Sequence, residues 1–523
     1  MSTETGGGLG RERLIILLGL MLGMLLGSID QSIVGTALPT IAGDLGGLDK
    51  IAWVVTAYLV TVTVTTPLYG KLSDIYGRSI VYEFAIGVFL LGSILSGLAG
   101  NMVQLSLFRA LQGIGAGGLI AMATTILGDI FSPRERGQYM SYMMVIFGVA
   151  TIGGPVLGGY LTEQFSWRWI FYINVPIGLA AIAVMHYKLD LPLPDTSHDI
   201  DYLGATLLVV AVAALMLVAT WGGNQYAWDS MVILGLAVVA VVTGVAFVLQ
   251  ELREDEPIFP VHLLDRGTVA GVIALSFALG VGMFGATIYL PVFLQTVLGV
   301  TATNSGLLLL PLVGGMLVTA AGTGQLMTRT GRYKPFIVVG PILGAIGYWL
   351  LHTMGPATTS LHSTVYMVIT GMGFGFVMPV LTVAIQNAVE RKDLGVATTS
   401  VTFSRSLGSA LGVAVLGALL NNELTSRFAS AFPGQAGSAI SSGGASLGPS
   451  AIAALPPSIQ TVVVNILANS LDTVFLAGAA VMVVAIGIGL LVPELELGES
   501  APVSFGAEGA VELPKDGTPA NDD

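Results

Sequence analysis

Fourteen apolar stretches, each long enough to cross a bilayer, make lipid the solvent for most of this 523-residue chain. An unpaired backbone group in hydrocarbon costs several kcal/mol, so only helices or a closed barrel can span. A spanning helix needs about 20 apolar residues where a barrel strand needs about 10, and uninterrupted runs such as 203–220 therefore select helices. The spans are read at 14–38, 51–69, 79–99, 102–127, 138–161, 169–186, 203–220, 231–251, 268–292, 305–327, 335–354, 363–384, 395–420 and 462–492. The first is too long for the 7–15-residue apolar core of a secretory signal and is read as a permanent span.

Composition agrees: 54% of residues are hydrophobic and 10% charged, which excludes a water-soluble globular fold. The 69 glycines, about twice the usual ~7% share, predict helices that approach closely where no hydrophobic force separates helix from lipid. Net charge is −12, but 494–523 holds eight acids and one lysine, so −7 of it belongs to a tail expected to be disordered. With no cysteine there is no disulfide, thiolate chemistry or cysteine metal site, and the five histidines lack metal-ligand spacing. No nucleotide loop, no nucleophile with its base and no soluble signalling domain can be found, so a membrane enzyme or sensor is the minor reading. No catalytic residue, metal, cofactor or nucleic-acid partner is expected.

The distribution of Lys and Arg tests the span count. With the N-terminus inside, 15 of the 20 basic residues fall in cytoplasmic segments and only Lys50, Arg168 and Arg427 outside; Arg109 and Arg405 lie within spans. The expected location is a cell membrane, crossed many times, with both termini cytoplasmic.

One short sequence occurs twice. Gly70–Arg78 reads GKLSDIYGR, and 254 positions later Gly324–Arg332 reads GQLMTRTGR, both on the cytoplasmic side. The offset predicts an all-α membrane protein of two six-helix bundles with two additional helices between them. The divisions are 1–13 as N-terminus, 14–188 as first bundle, 189–266 as the inserted pair with its connectors, 267–492 as second bundle with a long external loop at 421–457, and 493–523 as acidic tail. A duplicated bundle of this kind points to a transporter. Trp167, Trp169, Phe171 and Tyr172 fall where spans 5 and 6 meet the outer face and read as an interfacial aromatic belt, with a substrate-contacting cluster as the other reading.

Charges inside spans cost at least ~2.5–3.5 kcal/mol and mark function. Asp30 lies about 13 Å below the outer end of span 1 and Arg109 about 10 Å below that of span 4, close enough to share a layer. Burial favours the protonated carboxyl and a nearby Arg the ionised one, so a change in either makes Asp30 take up or release a proton. A static pair holding two helices together is the alternative. Arg405, mid-membrane in span 13, either bonds neutral polar groups or attracts an anionic part of a substrate. Gln112 and Glu83 are further candidates for cavity or coupling, and Asp472 lies near the entrance of span 14.

In the loop motif Gly70 and Gly77 allow a tight reversal. Asp74 can accept from helix N-terminal N–H groups and pair with Arg78, Arg134 or Arg136, forming with Lys71 a cytoplasmic latch that must break on opening. The second copy has Gln325 and Thr328 in place of Lys71 and Asp74, which predicts an asymmetric latch. Gly153, Gly154, Pro155, Gly158 and Gly159 predict a bend at a packed interface in span 5, either passive or moving.

Together these residues resemble the major facilitator superfamily, and within it the fourteen-helix drug:proton antiporters. The loop motif is matched by Gly70, Lys71, Leu72, Asp74, Gly77 and Arg78. A fourth-helix motif is matched by Arg109, Gln112, Gly113 and Gly115, and the antiporter motif by Gly154, Pro155, Gly158 and Gly159. The first-helix signature is matched by Asp30, Ile33, Val34, Ala37, Leu38 and Pro39, with Ser32 and Gly35 replacing the usual Thr and Asn; WRWIFYINVPIG, 167–178, is similarly typical. The resemblance implies alternating access, with a proton gradient driving export of a small amphipathic compound by a monomer. A dedicated carrier of one metabolite or antibiotic is the alternative. The shortage of membrane acids suits a monovalent cation, or a neutral or zwitterionic cargo, better than a dication.

Overall fold

The computed structural model describes residues 6–45, 51–189, 201–223, 225–254, 261–300, 308–390, 393–432, 452, 455–495, 504–505 and 511–512. The first half contains α1 (Gly6–Leu45), α2 (Ile51–Tyr76), α3 (Arg78–Gly97), α4 (Met102–Ile130), α5 (Pro133–Gln164), α6 (Trp169–Tyr172) and α7 (Asn174–Lys188). Next come α8 (Tyr202–Trp221) and α9 (Met231–Glu251). The second half contains α10 (Gly267–Thr296), α11 (Leu310–Thr330), α12 (Lys334–His352), α13 (Ser360–Ala388), α14 (Leu394–Ala431) and α15 (Pro457–Leu491). Two two-residue strands, Ser504–Phe505 and Val511–Glu512, pair antiparallel in the tail.

Thirteen segments among the described residues are long and apolar enough to cross a membrane, with α6 and α7 counted together as Trp169–Lys188. The remaining span, α2, carries Thr56, Thr61, Thr63, Thr65 and Thr66 among its apolar residues. Those threonines have a packing reason. α2 lies on the glycine face of α4, where a Cβ at Gly113 or Gly117 would run into Thr61 or Thr65, and Thr65 and Thr66 donate to the carbonyls of Ile114 and Gly117 at 3.2 Å. Small residues on one helix and short hydroxyls on the other bring two backbones together in lipid.

Side-chain caps set the helix starts. Asn101 accepts from the Gln104 amide at 2.9 Å to begin α4, and Ser132 with Glu135 forms a capping box for α5; a cap of this kind contributes ~1 kcal/mol.

The halves repeat one another. In the first, α1 packs on α5 and α7, α2 on α4, and α3 on α4 and α7; in the second, α10 packs on α14 and α15, α11 on α13, and α12 on α13 and α15. The halves meet through two equivalent pairings, α2 with α14 and α11 with α5. Between them, α8 touches both α2 and α14 while α9 packs on α8, and Ile233 and Glu251 are the buried residues of α9.

Two expectations need correction. The loop placed at 421–457 is helical to Ala431, because Glu423 and Arg427 pair one turn apart at 2.8 Å and Phe428 is buried; α15 already begins at Pro457. The stretch 433–451 lies outside the described residues. The aromatic belt is also smaller than expected. Trp169 is exposed, but Phe171 is buried, and so is Trp167, whose indole donates to Asp44 at 2.9 Å.

Candidate functional site: a buried carboxylate, a central cavity and a latched face

Asp30 is 0% exposed, in the middle of α1. Its Oδ2 accepts from Arg109 at 2.6 Å, and its Oδ1 accepts from Gln112 Nε2 at 2.8 Å and from Asn174 Nδ2 at 3.2 Å. Arg109 also donates to Gln112 Oε1 at 2.8 Å, and its guanidinium lies 3.8 Å from the centre of the Tyr58 ring. Four helices therefore converge on one carboxylate: α1, α2, α4 and α7. Gln112 stands one turn after Arg109, the spacing that puts both on the same face of α4.

The antiporter motif seats α5 beside this cluster. A Cβ at Gly154 would collide with Ser32, whose hydroxyl donates to Ala150 O at 2.9 Å. α5 continues as helix through Gly158, which is buried, and Gly159; the side chain of Pro155 lies outside the described residues.

A cavity of about 620 Å³ lies between the halves. Its wall is rich in methionine, Met24, Met140, Met143, Met144, Met216, Met283 and Met378, and Trp228 and Thr220 from the inserted pair reach it as well. Of the three candidates read for cavity or coupling, Arg405 lines it. Gln112 belongs to the Asp30 cluster, and Glu83 sits 3.4 Å from His186 in α7.

The face that carries the repeated sequence, called here the junction face, is closed. Asp74 accepts from the Val396 amide at 3.2 Å, in the first turn of α14, and pairs with Arg78. Arg78 donates in turn to Asp129 at 2.9 Å and to Ser73 at 2.8 Å. Arg136 does not join Asp74: its side chain is buried on the carbonyls of Phe131, at 3.0 Å, and Gly128. Lys71 is half-buried, and the Arg134 side chain lies outside the described residues.

The repeat now has a physical reason. Its first glycine touches the opposite half in both copies: a Cβ at Gly70 would meet Thr399 and the Gly395 carbonyl, and one at Gly324 would meet Ser141 and the Gly137 carbonyl. Its second glycine has positive φ in both copies, 93° at Gly77 and 68° at Gly331, where an L side chain is strained. The copies differ in charge, as the sequence predicts. Thr328 donates to the Gly324 carbonyl at 2.8 Å, while Arg332 forms a two-pronged pair with Glu494 at 2.9 and 2.7 Å.

Three contributors escaped the sequence reading. Asn174 carried a usable signal, a lone amide in an otherwise apolar helix. Gln386, which donates from α13 to Thr124 O in α4 at 3.0 Å, carried a weaker one, since Asn387 stands beside it near the helix end. The methionine wall carried none, since methionines in spans look like packing.

Two repeated bundles around a central cavity, embedded in lipid, define a membrane transporter and not an enzyme. The chain belongs to the Major Facilitator Superfamily, whose family pattern matches residues 20–413. It is 39% identical over 410 residues to the multidrug transporter protein MdtP of Bacillus subtilis, covering 78% of this chain and 76% of that one. It is 36% identical over 479 residues to multidrug resistance protein 3 of the same organism, covering 90% and 93%. Among solved structures, the proton:xylose symporter XylE superposes with a TM-score of 0.61 at 16% identity, over 93% of this chain and 97% of that one, which speaks to fold alone.

Proposed function

We propose that this transporter exports amphipathic small molecules across the cytoplasmic membrane by alternating access, taking up a proton from outside for each step of efflux. The observation that carries this reading is a methionine-walled cavity closed at the junction face, beside a carboxylate sealed in its own hydrogen-bond shell. Methionine is flexible and polarizable and repacks around dissimilar ligands, which suits a broad cargo range. The two Bacillus relatives are named for multidrug transport and resistance.

The junction face carries Lys71, Arg78, Arg136, Arg266, Arg329, Arg332 and Lys334, and by the positive-inside rule it is assigned to the cytoplasm, with both termini. The cavity then faces outward, the state in which cargo leaves and a proton arrives. Protonating Asp30 removes the countercharge of Arg109, so α1 and α4 lose their strongest tie at that layer and the bundles are free to rearrange. One proton moving inward is worth about 2.3 kcal/mol per 100 mV, enough for roughly fifty-fold accumulation of a neutral cargo. The divisions 14–188, 189–266 and 267–492 fit two rocking units with an inserted pair, and one copy holds every part of this cycle.

The test is a substrate panel on purified protein in liposomes, with and without an imposed pH gradient. Movement of several unrelated amphipaths that stops when the gradient is collapsed is the expected result. Movement indifferent to both pH difference and voltage would overturn proton coupling, and response to a single compound would favour a dedicated carrier.

A further inference from the structure

Among the described residues the cavity wall is neutral at every lining position except one, Arg405. Its setting is built and rigid. Thr402, Arg405, Ser406 and Ser409 follow one another at helical spacing and line the cavity together as one polar stripe of α14. Behind the stripe, α10 presses on the backbone: a Cβ at Gly280 would run into the Arg405 carbonyl and come within 2.9 Å of the Ser409 amide. That carbonyl accepts from Ser409 Oγ at 2.8 Å, so the residue is anchored by its main chain while its side chain lines the cavity.

Among the described residues no carboxylate forms an ion pair with Arg405. Three acids of the first half are committed to other bases. Asp30 is held by Arg109, while Asp74 and Asp129 are held by Arg78 on the junction face. A guanidinium left without a countercharge at membrane depth is costly, and it is a fork shaped for two oxygens of an oxyanion.

We infer that the cavity is built for amphipathic organic anions, the acidic head held by Arg405 and its hydroxyl stripe and the hydrocarbon body lying on the methionine wall. This reverses the charge preference expected from the shortage of membrane acids: that shortage removes the partners a cation would need, and the cavity supplies the partner an anion needs. The inference rests on the export reading and adds a cargo class to it.

Three probes of one skeleton test it: dansylaminoundecanoate, its methyl ester, and the corresponding terminal amine. Binding is read on the purified protein in nanodiscs by energy transfer from tryptophan to dansyl, Trp228 being a wall residue. The wild type is expected to bind the carboxylate at least about tenfold more tightly than the amine, the range of a charge-assisted hydrogen bond. Arg405→Gln is expected to erase that preference while binding of the ester is unchanged, and Arg405→Lys to restore part of it. Retained ester binding shows that the Gln variant is folded. Equal binding of acid and amine by the wild type, or a preference that survives in Arg405→Gln, overturns the inference. The same probes in proteoliposomes with a pH gradient separate it from the export reading. Arg405-dependent binding without gradient-driven movement defeats export and leaves the anion site standing, whereas driven movement with no dependence on Arg405 defeats the anion site and leaves export standing.

Discussion

At the scale of single residues, Asp30 and Arg109 are the most readable part of the site, because a charge in an apolar run stands out and the two depths match. What the sequence could not show is the company they keep. Asn174, Gln112 and the Tyr58 ring are neutral groups whose contribution depends on direction, and direction is set by how four helices converge. The shell predicts an asymmetry between two substitutions. Asp30→Asn keeps an amide oxygen for Arg109 beside Gln112 Oε1 and the Tyr58 ring, so the protein is expected to fold with a modestly lowered melting temperature and to lose drug-driven proton release in inverted vesicles. Undiminished release would remove Asp30 from coupling. Arg109→Ala leaves a buried carboxylate on two amides, and breaking such a pair costs about 3–5 kcal/mol, so a marked fall in melting temperature is expected.

At the scale of elements, hydropathy located all fourteen spans but not every end. α14 outruns its apolar stretch because the sequence after Leu420 turns polar while its hydrogen bonding stays helical, secured by the Glu423 and Arg427 pair. The repeated loop motif was visible as a pattern; that its first glycine is a contact between halves was not, since nothing in nine residues names the helix opposite. In the proposed cycle this contact makes Gly70→Val a gate variant: the added side chain would meet Thr399 and the Gly395 carbonyl across the closed junction face. Turnover is expected to fall about tenfold or more, with overpacking costs of about 1–3 kcal/mol on the closed state, while equilibrium binding of cargo is kept. Asp74→Asn removes the charge facing the α14 N-terminus and Arg78 and should act in the same direction. Normal turnover with lost affinity in either variant would reject the latch. On the same face, hydrogen bonds from Arg332 hold the Glu494 carboxyl below the usual glutamate range, so that tie is expected to outlast mild acidification, read as unchanged proteolytic protection of the segment after α15.

For the whole molecule, the two bundles share one contact scheme, and their meeting lines are the pairs α2 with α14 and α5 with α11. Duplication was legible from the offset of the motif, whereas the state was not, because a sequence is common to every state the chain visits. The absence of native cysteine gives a clean test of rocking. Ser141 donates to the Ala320 carbonyl at 2.7 Å across α5 and α11, so the double variant Ser141→Cys with Ala320→Cys should cross-link under mild oxidation. The cross-linked protein is expected to bind cargo from the outside yet not turn over, and reduction should restore activity. Full turnover while cross-linked would exclude separation of the halves along that line.

The inserted pair adds a mechanical consequence. α8 is seated on α2 of one bundle and α14 of the other, and α9, tied to the protein through α8, spans about 31 Å of hydrocarbon with most of its surface in lipid. In the proposed cycle, parting of the junction face makes α8 slide along at least one of its seats and drag α9 through the surrounding acyl chains like an outrigger. The bilayer thus bears directly on the stroke, and cycling speed should peak in lipids whose thickness matches α9 and decline in both thinner and thicker membranes.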